Sequence, residues 1–254
     1  MGTHCLVRRL FCVIGLIVWV GSTVRAEQAK EPAHQPLKVA MYSGATEYHS
    51  DATLAKLKAY LEHHYNVQCT LNDVTDWHTL PGTEQLAACD VMVVFTRRVE
   101  CPPEQVERIR QYMESGKGVV GIRTASHAFQ TWLAFDHEVL GGDYNNHVKD
   151  DKLARLTIPA GAKDHPVLAG VEPFTTTGKL YKNPHIAADD TVLLNAKTDT
   201  DAEPVAWARI RAEHKDQRVF YTSLGVPDDF ENENFRRLIV NAIFWTGKRA
   251  PEKK

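Results

Sequence analysis

The chain has 254 residues, of which 43% are hydrophobic and 24% charged, the balance of a globular protein with one large or two small domains and not of a disordered or collagen-like polymer. Outside the first 26 residues, which hold Arg8, Arg9 and Arg25 and no acid, 27 basic residues face 32 acidic ones. That net charge of −5 argues against a nucleic-acid binder.

Arg8 and Arg9 precede an uninterrupted apolar run, Leu10 to Val20, followed by Gly21-Ser22-Thr23-Val24-Arg25-Ala26. The pattern is that of a secretory signal peptide, with cleavage expected after Ala26 and a periplasmic or secreted product. The alternative is an uncleaved membrane anchor, but eleven residues cover about half of a hydrocarbon core roughly 30 Å thick, and no second apolar run approaches spanning length, so stable membrane insertion after cleavage is not expected. Three cysteines would survive cleavage, Cys69, Cys89 and Cys101. They cannot all pair internally, and none sits in a metal-type spacing. Cys69 and Cys89 read as small buried hydrophobes at strand positions.

From Leu37 apolar runs alternate with amphipathic ones, the signature of an α/β fold with a mostly parallel sheet. KVAMYS (38–43) reads as a buried strand, and residues 51–64 as a helix with Leu54, Leu57, Ala59 and Leu61 at helical spacing. NVQCTLN (66–72) and DVMVVF (90–95) are the next strands, the latter apolar enough to be covered on both faces. Pro102 and Pro103 open a helix through Met113 that Gly116 closes, and GVVGI (118–122) is the fourth strand. After it ARLTIP, TVLLNAK, PVAWARI and RVFYTSL are strand-like without long intervening helices, so several are expected to be antiparallel. The segment 234–245 reads as an amphipathic helix burying Phe235, Leu238, Ile239, Ala242 and Ile243. A single domain is expected over 37–247, followed by a charged, frayed tail at 248–254.

In an open α/β sheet the ligand site lies beyond the carboxyl ends of the parallel strands. Those positions are polar here: Glu47, Tyr48 and His49 after the first strand, Thr96, Arg97 and Arg98 after the third, Arg123, Thr124, Ser126 and His127 after the fourth, and Asp228 and Asp229 after RVFYTSL. The stretch GKGVVGIRTASHAF (116–129) has the strand, sharp turn, helix grammar of a nucleophile elbow. Its elbow residue is Arg123, which stays protonated and cannot attack but can clamp a carboxylate or orient hydroxyls. Ser126 reads as a helix cap.

Taken in order, KVAMYSGATEYH, GVVGIRTASHAF, LGGDYNNH, DHPVLAGVEPF, GKLYKN, EPVAWAR and RVFYTSLGVPDDFENENFRRLIVNAIFW resemble the ThuA-like (trehalose utilisation) family, from Leu37 to about Thr246. The resemblance implies a class I glutamine amidotransferase-like fold, a three-layer α/β sandwich close to the flavodoxin topology, and a role with disaccharides or their keto derivatives. The chain departs from the family pattern in three places. Many relatives carry His where this chain has Arg123, His where it has Val226, and an acidic pair where it reads Gly178-Lys179. Arg in place of an amidotransferase's elbow Cys excludes glutamine hydrolysis by a thiolate.

His49, His127 and His147 remain in family-like motifs, suited to acid/base work near neutral pH or to zinc. His127 and His147 are the expected acid/base residues, with Arg123 as electrostatic clamp. Glu47, Tyr48, His49, Arg97, Thr124, Trp132, Tyr181 and Asp229 are the expected carbohydrate contacts, Trp132 among them because a flat ring suits a pyranose face. A divalent metal is not favoured; if one binds, the three histidines are its candidate ligands. Two readings stay open: an exported enzyme acting on a keto-sugar or glycoside, and a non-catalytic carbohydrate-binding module on the same fold.

Overall fold

Period-two patterning explains the centre of the molecule. In β1 (Leu37–Gly44) Val39 and Met41 enter one apolar layer while Ala40 and Tyr42 enter the other. The same alternation runs through β3 (Val91–Thr96), β4 (Gly118–Ile122) and β9 (Gln217–Thr222). Strands buried on both faces need cover on both. On one face lie α1 (Ser50–His64) and α4 (Glu233–Thr246); on the other lie α2 (Pro103–Glu114) and an irregular segment from Ala125 to Leu140 that supplies Phe129, Phe135 and Val139. The structure, a computed structural model, describes residues 1–2, 35–149 and 152–254. Apart from Met1 and Gly2, the expected signal peptide lies outside the described residues.

Nine strands form one sheet in the order β2-β1-β3-β4-β9-β8-β7-β5-β6, with β2 (Val67–Asp73), β5 (Ala154–Thr157), β6 (Thr175–Thr176), β7 (Thr191–Lys197) and β8 (Ala202–Arg211) completing it. The first five in that order are parallel, and β9 joins them to an antiparallel half through β8. The mixed α/β sheet with added antiparallel strands is therefore as the sequence implied. RVFYTSL differs from its antiparallel neighbours, because the long excursion from Ile122 to Gln217 gives the chain room to return parallel to β4.

Helix α4 buries the five residues its periodicity names, all fully. Helix α1 buries Thr53, Leu54, Leu57 and Leu61, but Ala59 is exposed; two residues from both Leu57 and Leu61, it turns to the opposite side of a 3.6-residue helix. Cys69, Cys89 and Cys101 are free and buried. Burial pushes the Cys69 thiol up to about 12 and that of Cys101 up to about 11, the range of inert structural thiols. The last residues are tied down and not frayed: Asn66 N donates to Glu252 O at 3.0 Å and Lys254 N to His64 O at 3.1 Å, which occupies backbone groups left open where α1 passes into β2. Among the described residues no helix is long and apolar enough to cross a membrane.

Candidate functional site

The elbow at the end of β4 is sharp and runs into a short 3-10 helix, Arg123–His127, not an α-helix, with Ser126 inside it and not at its start. Arg123 takes φ +46°, a left-handed backbone that costs a non-glycine residue on the order of 1–3 kcal/mol, and opens a tight turn, Arg123–His127. Tyr221 Oη, donating to Arg123 O at 2.8 Å, helps hold that conformation. Ser126 is accordingly not a helix cap. Its Oγ lies 3.4 Å from Arg123 O and 3.0 Å from His127 Nδ1.

The turn sends the Arg123 side chain back across the strand ends, where it is 3% exposed. Nη1 donates to Ser223 O at 2.7 Å and Nη2 to Lys179 O at 3.4 Å. The guanidinium is sandwiched between the rings of Tyr48 and Tyr181, 4.3 and 4.7 Å from their centroids. These contacts use one donor on each Nη, and Nε is buried without a protein partner. The departures from the family pattern meet here. A Cβ on Gly178 would stand 2.7 Å from Val226 Cγ1 and 3.2 Å from Arg123 Nη1, so Arg123, Val226 and Gly178 form one packed set.

Beside this plug lies an open aromatic surface. The His127 ring stacks on Tyr144 at 4.7 Å and lies 6.1 Å from Tyr181, and Tyr144 lies 4.6 Å from Tyr181. Burial, then the charges of Arg97, Arg98 and Arg123, press the His127 imidazole down to about 4, so it is neutral at pH 7. Ser126 Oγ fixes Nδ1, leaving Nε2 as its remaining hydrogen-bonding atom. His147 is joined to Tyr181 by a backbone bridge, and its Nδ1 lies 2.7 Å from Val148 O.

The other expected residues divide. Glu47 accepts from Tyr48 Oη at 3.0 Å and pairs with Arg97 at 3.6 Å, which brings the ends of β1 and β3 together. His49 is exposed with φ +49°. Thr124 is buried, and its Oγ1 has no protein partner. Asp229 is 2% exposed, and its Oδ2 accepts from Gly225 N at 2.8 Å and Val226 N at 3.1 Å. It fastens the turn into α3 (Pro227–Glu231). Trp132 sits elsewhere: Nε1 donates to Glu138 at 2.8 Å, Arg110 lies 4.0 Å over its ring, and it lines a separate groove of about 480 Å³ with Arg211 and His214. Among the described residues no group of three or more His, Cys, Asp or Glu is arranged to hold a metal ion, so the three histidines do not share a ligand position.

Sequence reasoning gave too little weight to Tyr144 and Arg98. The sequence signal for Tyr144 was its place in LGGDYNNH, and that for Arg98 its place after β3.

Residues 38–246 match the family model ThuA, described as trehalose utilisation. No curated protein matches the chain. Among solved structures, a ThuA-like protein from Bacteroides uniformis is 19% identical over 85% of this chain and 94% of its own, with a TM-score of 0.67. A ThuA-like protein from Parabacteroides merdae is 17% identical over 86% and 93%, with a TM-score of 0.66. A variant of Gan42B, a GH42 β-galactosidase from G. stearothermophilus, is 12% identical over 85% of this chain but 31% of its own, with a TM-score of 0.52. At these identities the likeness is one of fold.

Proposed function

The chain belongs to the ThuA family, and from that premise we propose that it handles carbohydrate at the carboxyl ends of β1, β3, β4 and β9, with His127 as the group that exchanges a proton with the sugar. The family supports the carbohydrate role. The observation that carries the proton-transfer reading is the Ser126 Oγ to His127 Nδ1 contact of 3.0 Å beneath an imidazole kept neutral at pH 7. A neutral imidazole oriented through Nδ1 is equipped to accept a proton at Nε2 from a hydroxyl or from carbon next to a carbonyl, and can return it from the imidazolium so formed. His147 is the second acid/base candidate. Tyr144 is the half-buried ring available to a pyranose, backed by the buried Tyr181, with Tyr48 and Glu47 at the edge. We assign Arg123 to positioning, since it is buried, stacked on Tyr48 and Tyr181, and bonded to Ser223 O and Lys179 O.

The parallel strand order 2-1-3-4, continued by β9, supports a flavodoxin-like frame, in which ligands bind where the order reverses, between β1 and β3. The binding-module reading is favoured by one observation: Arg123, Val226 and Gly178 pack together where relatives would present histidines and an acid. Incubation with a panel of disaccharides and their 3-keto forms, followed by mass spectrometry, separates the two. Product with wild type and none with His127→Asn supports catalysis; calorimetric binding without product supports the module; neither product nor binding refutes the carbohydrate site. Export is proposed from the N-terminal pattern, and N-terminal sequencing of protein from a native-type host should read Glu27 first; an intact Met1 would refute it.

A further inference from the structure

We propose that the sugar taken by this cleft is anionic, a sugar acid or sugar phosphate whose charged group is held by Arg98, with Arg97 beside it, while its ring lies against Tyr144 and His127. The inference rests on the carbohydrate reading and deepens it. Backbone bonds fix the placement: Arg98 N donates to His127 O and Val99 N to Ala128 O, both at 2.8 Å, which ties the segment after β3 to the elbow turn. Arg97 and Arg98 therefore leave the backbone at the rim of the surface formed by His127 and Tyr144. Arg98 holds φ +53°, a conformation unfavourable for its residue type, and is exposed. Among the described residues it has no carboxylate partner, whereas Arg97 meets Glu47 only at 3.6 Å.

The charge balance at the cleft is one-sided. The charged side chains acting on both His127 and Tyr144 are the guanidiniums of Arg97, Arg98 and Arg123; the acids nearby are Glu47, which pairs with Arg97, and the buried Asp136, whose Oδ2 accepts from Tyr144 N. Asp229, the buried acid nearest the plug, has an oxygen committed to the amides of Gly225 and Val226. A neutral sugar could use the ring faces but would leave the Arg98 guanidinium in water. A carboxylate or phosphate would meet a planar, permanently charged fork that binds either group through paired N–H donors. The acidic overall charge argues that this is a local device for a small ligand and not part of a nucleic-acid surface.

Calorimetry of the mature chain at pH 7.5 with glucose, glucuronate and glucose 6-phosphate, at low and high NaCl, tests it. Glucuronate or glucose 6-phosphate should bind about tenfold tighter than glucose, the scale of one charge-assisted bond at a partly exposed rim, and their order tells carboxylate from phosphate. High salt should shrink the preference, a readout that needs no variant. Arg98→Gln should abolish the preference and Arg98→Lys should keep part of it. Glucose binding as tightly as both anions, or an unchanged preference in a folded Arg98→Gln, overturns the inference and leaves the carbohydrate reading standing. Absence of binding by all three sugars counts against both.

Discussion

Arg123→Ala separates a positioning role from a clamp. Truncation leaves Ser223 O without its 2.7 Å donor, costing about 1–3 kcal/mol for a buried acceptor. Lys179 O at 3.4 Å loses a weaker bond of about 0.5–1 kcal/mol. Stacking against Tyr48 and Tyr181 is lost as well, about 1–2 kcal/mol for each desolvated cation and ring pair. Against this, the variant no longer buries a charge and is relieved of several kcal/mol of desolvation. The net expectation is a destabilisation of about 2–4 kcal/mol, which for a domain of this size lowers Tm by roughly 5–15 °C. Urea titration monitored by tryptophan fluorescence, with a thermal melt beside it, measures the loss. A variant that melts within about 2 °C of wild type yet has lost all sugar binding would refute the positioning role and restore the clamp.

The remaining predictions concern single groups. His127 should titrate near pH 4 in a histidine NMR series, as burial and the three arginines require. Because its folded pKa lies below its unfolded one, stability should fall as pH drops from about 6.5 toward 4, by at most about 3 kcal/mol, and a midpoint near 6.5 would contradict the description of the cleft. Asp136, 6% exposed with Oδ2 accepting from Tyr144 N at 2.8 Å, is pushed up to about 7 by burial. Stability from this group is present at low pH and lost as pH rises through 7, so Asp136→Asn should raise Tm at pH 8.5 more than at pH 5; an equal effect at both would refute it. Gly225 has φ +126°, and a Cβ there would stand 2.7 Å from Ile122 Cγ2. Gly225→Ala should cost on the order of 2 kcal/mol in urea titration, and a neutral result would show that the turn before α3 relaxes freely.

What was legible in the sequence follows from periodicity. Alternation in KVAMYS and DVMVVF and the 3.6-residue stripe of 234–245 locate strands, faces and the helix, because burial on a regular element is fixed by position along it. The convergence of the strand ends was legible for the same reason: Arg123 follows GVVGI, and the topology of a parallel sheet brings such ends together. Trp132, Asp229 and Ser126 were misjudged because each lies on irregular backbone, where side-chain direction depends on contacts distant in sequence. Trp132 meets Arg110 of α2, and Asp229 turns inward to the amides of Gly225 and Val226. Ser126 would cap a helix that began at it; the helix that forms is a short 3-10 turn starting at Arg123, so Ser126 lies inside it and bonds back to Arg123 O. Tyr144 gains its importance only from the fold of the segment after Leu140, which sets its ring against His127.

The central claim is that carbohydrate binds at the strand ends against His127 and not in the groove beside Trp132. A crystal structure of the mature chain soaked with a sugar that calorimetry shows to bind tests this most directly. The account predicts a pyranose against the ring of Tyr144, with a hydroxyl within hydrogen-bond reach of His127 Nε2. Sugar found instead in the groove lined by Trp132, Arg211 and His214, with the strand ends empty, would contradict it.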